Sequence, residues 1–180
     1  CQSRDSPCMG FSDSDWAGCR KTAKSTSGGV IVMGTHFLKG WSRTQQCINL
    51  RSAEAKLVSM CKLSAEGLLS MLKDLRETRT GTVLADSTAA LAIADRKGSG
   101  KLRHINISLL WIQEKESKAE LNFEKVWGTE NPSDMMTKYL DAFKVTKFAD
   151  MLQQSFRPGR SKEGLKVQRS GSAEGKGVIA

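Results

Sequence analysis

Apolar positions along the chain fall into two kinds of run, short alternating or β-branched ones and longer ones at helical spacing. Met9 to Asp13 is a brief apolar run that ends on an acid. Gly28-Gly-Val-Ile-Val-Met33 is β-branched and predicts a strand. Gly34-Thr35 supplies a turn, and Phe37 to Trp41 returns as a third strand. Connections this short predict three adjacent antiparallel strands. Residues 17–27 are small, basic and polar and read as a loop.

The longest helical pattern opens at Ser52, a suitable N-cap. Apolar residues recur at Val58, Cys61, Ala65, Leu68, Leu72 and Leu75, and Leu57, Met60, Leu63, Leu69 and Met71 form a second flank. The helix is therefore expected to be buried on two sides, without the pattern saying which flank meets the sheet. Gly67 costs about 1 kcal/mol against Ala in such a helix, and close approach of another backbone would explain it. Thr82 to Asp86 is a further strand ending in an aspartate, followed by a helix to Ala94 that Ser87 caps. Ile105 to Glu114 is helical, with Ile105, Leu109 and Ile112 on one side. Ala119 to Trp127 alternates at period two and predicts a strand with one covered face. Ser133 is expected to cap a helix carrying Asp134, Met135, Met136, Tyr139 and Leu140, and an amphipathic segment with Phe143, Phe148, Met151 and Leu152 follows.

Three strands, helix, strand, two helices, strand and helix, in that order, predict an α/β fold: a five-stranded mixed sheet with helices on both faces. The expected organisation is a frayed lead-in over 1–8, one domain over 9–140, an appended helix over 141–156 and a disordered basic tail over 157–180.

Composition narrows the partners. Hydrophobic residues make up 39% and charged residues 26% of 180, enough to build a core. The net charge is +9, and +4 of it lies from Arg157 onward, where six Lys/Arg face two Glu. The rest still carries +5, which favours a polyanion such as nucleic acid. Cys1, Cys8, Cys19, Cys47 and Cys61 show no zinc spacing, and reduced thiols in an intracellular setting, cytoplasmic or nuclear, are expected. No apolar run approaches the roughly 18 residues of a membrane span. The first residue is Cys1, not Met, as expected of a fragment or a processed piece.

Asp13 and Asp86 each end a strand and Asp134 opens a helix. Strand ends that meet at the middle of a sheet can gather such carboxylates into a site for Mg²⁺ or Mn²⁺. Two such ions about 3.5–4 Å apart suit phosphodiester cleavage. The alternative reading is structural, because aspartates also serve as turn formers and as acids in first helical turns.

Seven short motifs occur in one order: Gly10-Phe-Ser-Asp-Ser-Asp-Trp-Ala-Gly18, Lys24-Ser-Thr-Ser-Gly-Gly29, Trp41-Ser42, Leu50-Arg-Ser-Ala-Glu-Ala55, Ala85-Asp-Ser87, Arg103-His-Ile105 and Gly128-Thr-Glu-Asn-Pro-Ser-Asp-Met-Met-Thr-Lys138. Together they resemble the ribonuclease H domain of copia-type retrotransposon polyproteins, over about residues 9–140. The resemblance implies a ribonuclease H fold and a nuclease that cuts the RNA strand of RNA–DNA hybrids during reverse transcription. It also implies two Mg²⁺ or Mn²⁺ ions and a reverse transcriptase upstream in the same polyprotein. Asp13, Asp86 and Asp134 match the first, third and last family carboxylates, which act as metal-binding catalytic residues.

The second family carboxylate is missing. The family pattern is Ser-Ser-x-Glu-Ala-Glu, and this chain reads Arg51-Ser-Ala-Glu54-Ala-Lys56. Two residues along a helix turn by about 200°, so Glu54 cannot stand in for Lys56. A charge pair at 4 Å is worth about 4 kcal/mol at an effective dielectric of 20, and a lysine against a divalent ion costs roughly twice that. Lys56 could also swing away, lose its proton, replace one ion's charge or hold a phosphate. Impaired hydrolysis is the expectation, and the alternative is an inactive module that binds hybrid or duplex through its basic surface. Ser14, Ser87, Arg103 and His104 are candidate nucleic-acid contacts. His104 has a capping or packing role as its other reading, and Lys97, Lys101, Arg103 and Lys115 are either phosphate contacts or a solvated face. Trp16 and Trp41 are expected in the core.

Overall fold

The structure is a computed structural model and describes residues 7–76, 80–96, 106–157 and 159. Three consecutive strands, β1 (Cys8–Asp15), β2 (Thr26–Met33) and β3 (His36–Thr44), form an antiparallel meander, as the short connections require. β4 (Gly81–Ala85) then pairs parallel to β1, and β5 (Leu121–Lys125) parallel to β4. The sheet order is β3-β2-β1-β4-β5, the expected five-stranded mixed sheet.

A long helical stretch joins β3 to β4. It consists of α1 (Ser52–Lys62), a π-helical segment (Leu63–Leu69) and α2 (Ser70–Asp74). The buried residues come from both flanks, Leu57, Met60 and Leu63 from the second and Cys61, Leu68 and Leu72 from the first, whereas Ala65 and Leu75 of the first are exposed. The wider π-helical turn rotates the later residues, so a single 3.6-residue stripe does not describe this helix. Gly67 makes room for a side chain rather than a backbone: a Cβ there would stand 2.8 Å from Ile31 Cδ1. Ser52 is not the cap. Arg51 holds that position, and the Glu54 carboxylate accepts from Leu50 N–H at 2.9 Å.

α3 (Thr88–Asp95) and α4 (Asn106–Ser117) join α1 on this face, closing a core around Ile31, Met60, Val83, Ala90, Ile112 and Leu121. Ser87 caps α3 as expected, accepting from Ala90 N–H at 3.2 Å. The opposite face is covered by a short 3₁₀ turn, Pro132–Met136, against which α5 (Ala142–Met151) packs, and a first 3₁₀ turn, Gly128–Glu130, leads into it. There Val30, Val32 and Leu152 are buried among Met9, Phe11, Phe37, Met135 and Met136.

The segment around Asp134 differs from the sequence expectation. Asn131, not Ser133, is the cap, and the turn ends at Met136, leaving Tyr139 fully exposed. Pro132 sets the first residue of a tight turn, and the Asn131 side chain accepts from Ser133 N–H at 3.2 Å and donates to Ser12 O at 3.1 Å. Trp41 packs on the core, but Trp16 is half-exposed and its indole N–H donates to Asn49 O at 3.0 Å. Ile105 and nearly all of the expected tail lie outside the described residues.

Candidate functional site

β1 pairs with β4 through Met9–Ser12, and that pairing stops at Ser12 opposite Ala85. Asp13 is the next residue of β1 and Asp86 the first residue after β4, so two parallel strands deliver two carboxylates side by side. Asp13 does not end β1, which continues beside β2 to Asp15. The Asp13 backbone is pinned from α1, where Ser59 Oγ donates to Asp13 O at 2.6 Å. Across the sheet, Asp13 faces Gly28. A Cβ on Gly28 would lie 2.6 Å from Thr137 Cγ2 and 2.7 Å from Met136 Cβ, so only glycine lets the Asp134 segment close over Asp13.

That closure brings a third carboxylate and two lysines to the same place. Asp13 is buried, 1% exposed. Its Oδ1 is 3.3 Å from Lys56 Nζ, and the same ammonium is paired with Asp86 Oδ1. Asp13 Oδ2 lies 3.1 Å from Lys138 Nζ, which is 2.9 Å from Asp134 Oδ1. The Thr137 hydroxyl donates to Asp13 Oδ2. Lys56 thus bridges Asp13 to Asp86, and Lys138 bridges Asp13 to Asp134. Glu54, on the other side of α1, is buried against the loop before the helix, as its spacing from Lys56 predicts.

The charges of this cluster hold one another. Burial alone raises the Asp13 carboxyl, but the Thr137 hydroxyl and the Lys138 and Lys56 ammonium groups outweigh it and keep Asp13 below the ordinary carboxylate range. Burial, opposed by the Lys138 hydrogen bond and reinforced by the Asp13 charge, raises Asp134. Lys138 loses solvation but gains two carboxylates, Asp13 foremost, and its pKa rises.

The donor set suits a divalent cation in kind, being carboxylate oxygen throughout. Its disposition does not fit two of them. An ammonium bridges Asp13 to each of the other two carboxylates, and among the described residues no three His, Cys, Asp or Glu side chains are placed to hold a metal ion. Two lysine charges already offset most of the three negative ones.

Ser14 is buried and its hydroxyl has no hydrogen-bond partner among the described residues, while the Ser87 hydroxyl is engaged in its cap. Arg103, His104, Lys97 and Lys101 lie outside the described residues. Lys115 is paired with Glu120 at 2.7 Å. Lys138 and Thr137 were not among the residues singled out from sequence. The signal was present, because Lys138 stands four residues after Asp134 and closes the same motif.

This five-stranded mixed sheet flanked by helices is that of a ribonuclease H fold. The chain is similar to the N-terminal RNase H domain of rv2228c from Mycobacterium tuberculosis, with a TM-score of 0.56 at 15% identity over 81% of this chain and 98% of that one. It is also similar to LC11-RNase H1, isolated from compost, with a TM-score of 0.52 at 17% identity over 73% and 92% of the two chains. A structure of LC11-RNase H1 in complex with RNA/DNA hybrid superposes with a TM-score of 0.51 at 16% identity, covering 72% and 92%.

The sequence relatives are retrovirus-related Pol polyproteins of plant transposons. The chain is 26% identical over 134 residues to that of transposon TNT 1-94 from Nicotiana tabacum, covering 72% of this chain. It is 27% identical over 147 residues to that of transposon RE1 from Arabidopsis thaliana, covering 79% of this chain. In both cases the match spans 10% of the polyprotein's own length. No family model matches the chain.

Proposed function

We propose that this ribonuclease H-like domain engages RNA–DNA hybrid within a Pol polyprotein that carries a reverse transcriptase upstream, and that its metal-dependent hydrolysis of the RNA strand is impaired. The observation that carries the reading is the Lys56 ammonium, paired with both Asp13 and Asp86. In the family these two aspartates and Asp134 hold Mg²⁺ or Mn²⁺. Here a fixed monovalent charge stands between the first two and Lys138 between the first and last. An ammonium neutralises carboxylates but offers no Lewis acidity and no bound water to activate. The net charge of +9 favours retained attraction to a polyanion.

The test is a cleavage assay on RNA–DNA hybrid with Mg²⁺ or Mn²⁺, comparing the natural chain with Lys56→Glu. The natural chain is expected to bind hybrid in a salt-sensitive way and cleave it weakly or not at all. Lys56→Glu restores the fourth carboxylate and is expected to gain cleavage. Equal rates from both, abolished in each by Asp86→Asn, would show that Lys56 does not obstruct the chemistry. The second reading, a binding module with no residual activity, predicts hybrid binding without cleavage in both forms.

A further inference from the structure

Beside the carboxylate–lysine cluster lies a groove of about 480 Å³ between the end of β5 and α5. Trp127, Thr129, Phe143, Lys144 and Lys147 line it, and Asp134 forms its inner edge. Two of its three aromatic rings are open: Trp127 is 71% exposed and Phe143 79%. Both sit on ordered supports. Trp127 directly precedes the first 3₁₀ turn, and Phe143 lies in the first turn of α5. The groove is braced across its floor, because Lys147 Nζ donates to Thr129 O at 2.7 Å and Phe148 is buried beneath. Lys125 Nζ stands 5.7 Å from the centre of the Trp127 ring.

Nothing in the carboxylate cluster uses these groups. Exposed aromatic faces interleaved with lysines are the chemistry that takes up unpaired nucleotides: the rings stack on bases and the ammonium groups meet the phosphates. The charge balance agrees. Lys144 and Lys147 face the groove, whereas its carboxylate, Asp134, is already paired with Lys138, and Asp141 stands 3.9 Å from Lys144 at the rim. Position agrees as well. Gly128, in the groove wall, points its absent Cβ at Asp86 Oδ2, 3.7 Å away. A strand leaving Asp86 and Asp134 would therefore enter the groove at once.

We infer that this groove binds one or two unpaired nucleotides of a strand continuous with the hybrid, stacked on Trp127 and Phe143. The inference rests on the hybrid-binding reading above for the continuity of the strand, and on the groove alone for the stacking.

The test measures binding by fluorescence anisotropy of a blunt RNA–DNA hybrid and of the same hybrid with a four-nucleotide extension on the RNA strand or on the DNA strand. A free single-stranded oligonucleotide is the fourth probe. An extension on one strand is expected to tighten binding roughly tenfold, and which strand does so identifies the occupant. Trp127→Ala and Phe143→Ala should each remove that gain and leave blunt-hybrid affinity unchanged. Both side chains are exposed, so the melting temperature should not move, and Phe143→Trp should keep the gain. Equal gain in the natural chain and both alanine variants would overturn the assignment, as would no gain from either extension. A chain that ignores blunt hybrid but binds the free strand through Trp127 would support the groove and remove the hybrid reading. Extensions without effect, with self-association that Trp127→Ala abolishes, would assign the patch to a protein contact and overturn the inference.

Discussion

The Lys56 ammonium lies 3.3 Å from Asp13 Oδ1, inside a site whose other cation, Lys138, lies 3.1 Å from Asp13 Oδ2. Asp13 is thus held between two positive charges of the chain itself. A carboxylate cluster without internal cations is destabilised by its own repulsion, and here the sign is reversed.

The reversal predicts opposite behaviour for two aspartates. Asp13→Asn leaves two ammonium groups without their shared partner and is expected to cost about 3 kcal/mol, the scale for breaking one side of a buried ion pair. Asp134→Asn should stay within about 1 kcal/mol of the natural chain, because burial and the Asp13 charge already disfavour its ionised form. Urea denaturation at neutral pH measures both, and an Asp13→Asn domain as stable as the natural one would refute the bridging role. The pH dependence follows. Asp13 is depressed below the ordinary value of 3.8, so its contribution is present above that value and is lost as pH falls through the folded value. The stability gap to Asp13→Asn should therefore be full at neutral pH and close in strong acid.

Lys56→Ala should make the fold responsive to divalent cations. Removing one bridge leaves Asp13 and Asp86 adjacent with less compensation, at a cost of roughly 2–3 kcal/mol. Millimolar Mg²⁺ is expected to recover part of that loss in the variant and to leave the melting temperature of the natural chain unchanged. Calorimetric scans with and without Mg²⁺ check this independently of cleavage. A natural chain that gains as much as the variant would count against the lysine as the resident cation.

Gly28→Ala is expected to open the site from the opposite strand. The added methyl would sit 2.6 Å from Thr137 Cγ2, and Met136 Cβ is nearly as close. The segment carrying Asp134 and Lys138 must then lift away, at about 2 kcal/mol for overpacking. Faster amide exchange at Thr137 and Lys138 would report it, and protection equal to that of the natural chain would argue against the close approach.

The thiols should separate by burial. Cys61 is buried and its thiol is pushed up to about 12, whereas Cys19, hydrogen-bonded by Thr22, is lowered and Cys47 is exposed. A thiol reagent at pH 8 is expected to label Cys19 and Cys47 in the folded domain, and Cys8 and Cys61 only after unfolding. Between 9.0 and about 12 the folded chain keeps a proton on Cys61 that the unfolded chain releases, so stability falls as pH rises through that window. Cys61→Ala should flatten that alkaline slope, and rapid native labelling of Cys61 would contradict its burial.

Local pattern carried the fold a long way. Short connections between β-branched runs required the antiparallel meander, and Ser87 capped its helix where the composition said it would. The long helix was harder, because its middle is π-helical and a 3.6-residue stripe misassigned Ala65 and Leu75 to the core. At Asp134 the pattern named the wrong cap: Asn131 reaches two residues forward and 119 residues back, to Ser12, and no local propensity records the second contact.

The same division runs through the site. The order of motifs, the three aspartates and the Lys at position 56 are properties of the linear chain. So is the opposition of Glu54 to Lys56, which follows from helical geometry alone. That Lys56 stands between Asp13 and Asp86 was decided by the parallel pairing of β1 and β4, which sets those residues side by side across a separation no periodicity reaches. That Lys138 completes the arrangement was decided by Gly28, whose missing Cβ admits the Asp134 turn to the sheet. Sequence lists which charges exist, and electrostatics depends on distance, which only the closed tertiary structure sets.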